Sequence, residues 1–110
     1  MKNDMKKQTI RIVFEYHAHP VWVYDEEDCL IDNGLPAEWQ HDKQLDALCN
    51  RLQSIFDSLF LDDGKHFAYL GFATAAEKAA FLQQTEQLYT LLCERNCANR
   101  KIHPPQKQEI

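Results

Sequence analysis

Apolar and polar side chains alternate along the first part of the chain, and this pattern predicts β-strands. In residues 9–17, one side of the alternation carries Ile10, Ile12, Phe14 and Tyr16. A spacing of two positions in β-branched and aromatic residues is typical of a strand. The short apolar runs at 21–24 and 29–31 predict two further strands, and the charged turn at 25–28 between them closes a hairpin.

Two later segments carry apolar residues three and four positions apart, which is the spacing of an amphipathic helix. The first stripe begins after Asp42, a typical N-cap residue, and extends to Phe60. The second begins after Thr74, which opens a capping-box sequence, and ends near Arg95. Between the helices, residues 65–72 predict a fourth strand whose place in the sheet the sequence does not determine.

The predicted order of elements is βββαβα, in one domain that covers residues 8–95. Strands joined by short turns favour antiparallel pairing, and two helices that are apolar on one side can both cover one face of a sheet. We therefore predict an α+β fold, a two-layer sandwich in which a four-stranded, mainly antiparallel sheet carries both helices on one face. Outside this domain, we expect residues 1–7 to be a polar leader and residues 96–110 a flexible tail.

The composition is that of one globular domain in a chain of 110 residues. Apolar types make up 45%, and two Trp, four Tyr and six Phe can supply a core. No apolar run approaches the roughly 18 residues of a membrane span, and no secretory signal pattern follows the charged N-terminus. We therefore expect a cytoplasmic protein with no membrane partner, in which the four cysteines are reduced thiols.

Acidic residues outnumber basic ones, and the excess lies in the predicted domain. The whole chain has 17 acidic and 12 basic residues, a formal net charge of −5. Residues 8–95 hold 15 of the acids and only 6 of the bases, a net charge of −9. Because a domain with this negative charge repels phosphate backbones, we expect no nucleic-acid partner. The opposing hypothesis is a nucleic-acid factor that acts through Arg95, Arg100 and Lys101.

No combination of residues predicts a catalytic centre or a metal site. Residue types that bind zinc are present, but their spacing matches no zinc motif: His17, His19, Cys93, Cys97 and His103. Ser54 and Ser58 lie inside the first predicted helix, where no strand-to-helix elbow can expose a serine nucleophile. The three glycines are too far apart to form a phosphate-binding loop. We therefore predict no catalytic residue, no metal and no cofactor.

The predicted strands offer more apolar side chains than two helices can cover. The uncovered face of the sheet is expected to carry Val13, Trp22, Tyr24, Phe67 and Tyr69. A large exposed apolar patch is uncommon on a monomer and marks a binding surface, so these residues are predicted to bind a partner. In the alternative, the leader, the tail, or the 33–41 loop with Leu35 and Trp39 folds over this face.

These observations favour a small acidic, non-catalytic protein-interaction domain. It would bind a protein partner or a second copy of itself, as a homodimer, through the open sheet face. One alternative is an immunity-type inhibitor of a basic toxin, because an acidic body speeds encounter with a basic partner. Another is a small enzyme or ligand-binding domain, with a pocket between sheet and helices and, at its mouth, His17, His19, Cys29 or Tyr24.

Overall fold

The chain forms two helices, a four-stranded sheet and a separate two-stranded sheet, which confirms the predicted α+β class. A computed structural model describes residues 8–96 and 100–105. Along the chain the elements are β1 (Thr9–Ile12), β2 (Val21–Tyr24), β3 (Leu30–Asn33), α1 (Lys43–Asp57), β4 (Phe60–Asp62), β5 (Phe67–Tyr69), α2 (Ala75–Arg95) and β6 (Lys101–Ile102). A short 3₁₀ turn at Ala37–Trp39 precedes α1. None of the helices in this part of the chain combines the length and the apolar character that crossing a membrane requires.

The main sheet has the strand order β3-β2-β1-β6. The three N-terminal strands pair antiparallel, as predicted, and the register places Ile10 opposite Val23 and Ile12 opposite Val21. All four of these side chains are buried. Because side chains alternate along a strand, Trp22 and Tyr24 lie on the opposite face of the sheet.

The predicted fourth strand, 65–72, does not join the main sheet. Its central part is β5, which pairs with β4 in a hairpin of its own. The first helix is shorter than its apolar stripe predicts. The stripe extends to Phe60, whereas α1 ends at Asp57 and Phe60 begins β4. The carbonyl of Leu59 accepts hydrogen bonds from the N–H groups of Leu70, at 2.7 Å, and Gly71, at 3.2 Å. These contacts tie the base of the hairpin to the end of the helix.

The fourth strand of the main sheet comes from the segment predicted as a flexible tail. β6 runs parallel to β1, with Lys101 N–H donating to the Gln8 carbonyl at 2.9 Å and His103 N–H donating to the Ile10 carbonyl at 3.0 Å. Residues 100–105 are therefore part of the fold, and the predicted boundary at residue 95 leaves this strand out. The predicted leader, 1–7, and the rest of the tail lie outside the described residues.

The apolar core lies between one face of the main sheet and the two helices. Its buried members are Ile10, Ile12, Phe14, Val21, Val23, Leu35, Trp39, Leu45, Cys49, Leu52, Phe56, Leu59, Phe81, Leu88 and Leu92. Trp39 also donates from its indole Nε1 to the carbonyl of Arg95 at 3.1 Å. The loop that carries Leu35 and Trp39 therefore closes the core on the helical side, and the alternative in which it covers the outer sheet face is wrong.

Candidate protein-interaction surfaces

The structure divides the five predicted partner-binding residues between two sheets. Trp22 and Tyr24 lie on β2 of the main sheet, and Val13 follows β1 directly; all three are half-buried. Phe67 and Tyr69 lie on β5 in the two-stranded sheet and are exposed. The predicted single patch is therefore two separate surfaces.

Polar groups interrupt the outer face of the main sheet. The indole Nε1 of Trp22 donates to the carbonyl of Val13 at 2.9 Å, and the guanidinium of Arg11 lies over the Tyr24 ring, 5.4 Å from its centroid. Arg11 also contacts Asp28 at 3.4 Å. A cation stacked on an aromatic ring shields the ring from water. This face is therefore mixed in character, and the dry aromatic surface expected from the sequence is not found there.

Most of the exposed large apolar side chains instead lie on the β4–β5 hairpin, residues 60–70, which we call the hairpin arm. Phe60 pairs with Tyr69, and Asp62 with Phe67. The connecting turn needs Gly64, which has a φ of +88°, a value that side chains disfavour. The carboxylate of Asp63 accepts from the N–H groups of Lys65 and His66, at 2.9 and 2.7 Å. The turn is therefore well ordered by its own sequence.

An aromatic chain connects the arm to the core. The ring of buried Phe56 lies 5.3 Å from that of Phe60, and Phe60 stacks on Phe67 at 5.3 Å. Tyr16 meets Phe67 edge-on at 5.0 Å, and Tyr69 lies 5.1 Å from Phe60. Aromatic pairs at these separations are attractive beyond the area they bury. The arm is thus anchored at its base while its outer side chains remain in water.

The arm surface consists of four large side chains that are 43 to 64% exposed: Leu61, Phe67, Tyr69 and Leu70. Every residue from 61 to 70 is exposed. Phe67 and Tyr69 share one face of the hairpin, while Leu61 points to the other with Ala68, its partner on β5. Large apolar side chains that are exposed together on so small a domain are typical of a binding surface. Leu61 and Leu70 were not predicted, although the Asp63-Gly64 dipeptide between two apolar runs is a hairpin signal.

A second exposed region lies along β3, the edge strand of the main sheet. Leu30 and Ile31 on β3 are 51 and 50% exposed. The turn before them contains four consecutive acids, 25–28, and Asp32 follows them. The sequence predicts the charged turn but not the exposed apolar pair, because the three-residue run at 29–31 does not show which strand lies at the edge of the sheet.

A shallow depression of about 310 Å³ lies beside the same edge, between β3 and α1. Its lining residues are His19, Asp32, Asn33, Gly34, Leu35, Gln40 and Asp46. Of the four residues predicted at a pocket mouth, only His19 lines it: Cys29 is exposed elsewhere, and His17 stacks on Tyr16 at 3.9 Å.

His19 has a structural role in this depression. Its ring Nδ1 accepts from the N–H of Val21 at 3.0 Å, so the neutral ring carries its proton on Nε2. The side chain of Asn33 donates to the carbonyls of His19, at 2.7 Å, and Val21, at 2.9 Å, and accepts from the His19 N–H at 2.9 Å. Burial lowers the pKa of His19, which favours the neutral ring.

The potential metal ligands of the described residues do not form a cluster. Within residues 8–96 and 100–105, no three His, Cys, Asp or Glu side chains group as a metal site requires. Cys97 lies outside this part of the chain. Burial in the core raises the pKa of Cys49 to about 12, so this thiol stays protonated at neutral pH.

No protein-family model matches the sequence, and no curated protein matches it either. The function is therefore inferred from the two exposed surfaces.

Proposed function

We propose that this protein is a non-catalytic, cytoplasmic protein-interaction domain that associates with a second copy of itself through the arm surface. One observation carries the proposal: Leu61, Phe67, Tyr69 and Leu70 are all exposed on one hairpin that is anchored at its base. Contact between two such arms would remove part of this apolar surface from water. In a symmetric dimer each contact is made twice, which doubles the gain from a small patch.

The secondary structure of the arm also favours a second copy. Two isolated strands are at best marginally stable in water, because a sheet of this size buries little of either face. β4 and β5 each have one paired side among the described residues, so the hairpin has two free strand edges. Two arms that pair edge to edge would form a continuous four-stranded sheet across the dimer.

The charge of the arm is close to that of the domain as a whole. Residues 60–70 contain two acids and one lysine, a net charge of −1 in 11 residues, and residues 8–95 carry −9 in 88 residues. Asp62 and Asp63 accept hydrogen bonds from backbone N–H groups within the turn, which partly offsets the repulsion between two arms. The same acidic body disfavours a nucleic-acid partner.

Analytical ultracentrifugation tests the proposal. We expect the mass of the wild-type protein to rise from that of the 12.9 kDa chain towards twice that value between about 10 µM and about 500 µM. The double variant Phe67→Ser/Leu70→Ser should stay monomeric over this range, because serine removes the apolar contact. The control, Leu30→Ser/Leu82→Ser, introduces two serines at exposed leucines away from the arm and should associate like the wild type.

A wild-type protein that is monomeric throughout this range would overturn the proposal. An equal loss of association in the control variant would also overturn it, because association would then not depend on the arm. Circular dichroism of each variant shows whether the fold is kept, since the substituted side chains are about half exposed or more.

A further inference from the structure

We infer that β3 is a docking edge for a basic, extended segment of another protein, which adds to the main sheet as a strand. The site, which we call the acidic edge, comprises residues 25–33. It is separate from the arm surface and does not depend on the proposed self-association. An immunity-type inhibitor of a basic protein would bind its target through such an edge.

The first argument is the position of β3 in the sheet. It is the last strand in the order β3-β2-β1-β6 and pairs with β2 alone among the described residues. Its outer side therefore presents backbone N–H and C=O groups that an added strand can bind. Leu30 and Ile31, each half exposed, supply apolar contacts for the side chains of that strand.

The second argument is that the edge is held in place at both ends. At one end, Asp25 accepts hydrogen bonds from the N–H groups of Glu27 and Cys29, both at 2.9 Å, and shapes the turn. At the other, the side chain of Asn33 bonds to the backbone of His19 and Val21. A strand that is ordered before binding loses little conformational entropy on binding.

The third argument is charge, and it selects the occupant. Residues 12–42 contain eight acids and no lysine or arginine. Within the described residues, Glu26, Glu27 and Asp32 have no hydrogen bond or ion pair to a side-chain partner, so their carboxylates can bind a cation. A second copy would bring an equally acidic strand and is repelled, whereas lysine or arginine side chains are attracted.

An opposing explanation is that the acids only protect the edge from pairing. Charged side chains on edge strands commonly serve this purpose, and the register shift between Val23 and Tyr24 twists the edge further. Protection by negative charge discourages acidic and neutral strands but attracts basic ones. The two explanations therefore differ in what they expect of a basic peptide.

Fluorescence anisotropy with the whole 110-residue chain separates the two explanations. The probe is a short labelled peptide in which lysine and arginine alternate with valine, and its control has a central valine replaced by proline. We expect saturable binding of the probe and much weaker binding of the proline peptide, which cannot donate to the edge or remain extended in a sheet. Added salt should weaken binding.

Charge variants locate the site. Glu27→Gln/Asp32→Asn should weaken binding of the probe about fivefold or more, since two ionic contacts are lost. Glu86→Gln/Glu94→Gln removes the same charge from α2 and should change affinity by less than about twofold. Hydrogen exchange of the wild type should slow at residues 30–33 when the probe is bound.

Three results would overturn the inference: no binding of the basic peptide, equal binding of the proline peptide, or an equal loss in the α2 variant. The last of these would show that the probe responds to net charge and not to the edge. The Phe67→Ser/Leu70→Ser variant should bind the probe like the wild type, so failure of the acidic edge and failure of the arm surface are distinguishable.

Discussion

The carboxylate of Asp42 joins the first turn of α1 to the last residue of α2, Arg95. Its Oδ1 accepts from the N–H of Leu45 at 3.1 Å, and its Oδ2 accepts from Nε of Arg95 at 2.8 Å. Arg95 donates further to the side chain of Gln44 at 2.7 Å, and its carbonyl accepts from Trp39. One aspartate thus caps one helix and fixes the end of the other, which holds the two helices in register over the sheet.

Substitution of Asp42 should separate its two roles. Asp42→Asn keeps an oxygen that can cap α1 but loses the ion pair, whereas Asp42→Ala loses both. We therefore expect the alanine variant to unfold at a lower urea concentration than the asparagine variant, and both at a lower concentration than the wild type. Equal midpoints for the two variants would show that the cap contributes nothing.

The contribution of Asp42 should also depend on pH. The hydrogen bond from Leu45 N–H and, next, the bond from Arg95 lower the pKa of Asp42 in the folded state. Because the pKa is lower in the folded state, the ionised carboxylate stabilises the fold at pH values above the ordinary aspartate pKa. This stabilisation is lost as the pH falls through the pKa of the folded state. The difference in unfolding free energy between the wild type and Asp42→Asn should therefore shrink as pH falls below the ordinary aspartate value of 3.8. A difference that is unchanged in acid would contradict this assignment.

His19 should make stability fall in mild acid. Burial lowers the pKa of its ring below the ordinary value of 6.5, so the unfolded chain binds the proton more readily than the folded chain. The contribution of the neutral ring to stability is complete above pH 6.5. It is lost as the pH falls from there through the lowered pKa of the folded state. His19→Asn places an uncharged acceptor near the position of Nδ1, and urea titrations from about pH 7.5 to about pH 5 should show a smaller loss than in the wild type. Parallel curves for the two proteins would exclude this role.

The thiols should differ in reactivity. Cys29 and Cys93 are exposed, while Cys49 is fully buried with a pKa of about 12. Alkylation of the folded protein at pH 8, followed by peptide mass spectrometry, should label Cys29 and Cys93 quickly and Cys49 only after denaturant is added. Rapid labelling of Cys49 in the folded state would show that α1 does not bury this face.

A pair of leucines on α2 tests which side of the helix faces the core. Leu88 is fully buried and Leu82 is 44% exposed. Leu88→Ala should destabilise the fold by about 2–5 kcal/mol, because it leaves a cavity. Leu82→Ala, the matched control, should change stability by less than about 0.5 kcal/mol. Similar effects of the two substitutions on urea unfolding would contradict the observed packing.

The elements with a strong repeating pattern could be predicted from the sequence. The alternation around Ile10 and the apolar stripe after Asp42 correspond to β1 and α1, because burial of one face imposes its period on the sequence. The helical stripe also fits Phe60, however, so periodicity could not show that the chain leaves α1 at Asp57. The switch from helix to strand depends on the hairpin turn and on the stacking of the Phe60 ring on that of Phe67.

Other features depend on contacts between residues far apart in the chain. β6 has two residues and no periodicity. It forms because the carbonyls of Gln8 and Ile10, along the edge of β1, accept hydrogen bonds from the backbone N–H groups of Lys101 and of His103, the residue after β6. The aromatic residues of the candidate surface were predicted by type, but their division between two sheets was not. Strand alternation predicts which face a side chain occupies, whereas the strand that lies beside it is decided by tertiary packing.

Hydrogen exchange of the wild-type protein at low and high concentration is the sharpest test of self-association through the hairpin arm. It requires no substitution and reports on each part of the backbone. We expect residues 60–70 to exchange more slowly in the concentrated sample, while residues 30–33 of the acidic edge are unchanged. Identical exchange of residues 60–70 at both concentrations would contradict self-association through the arm.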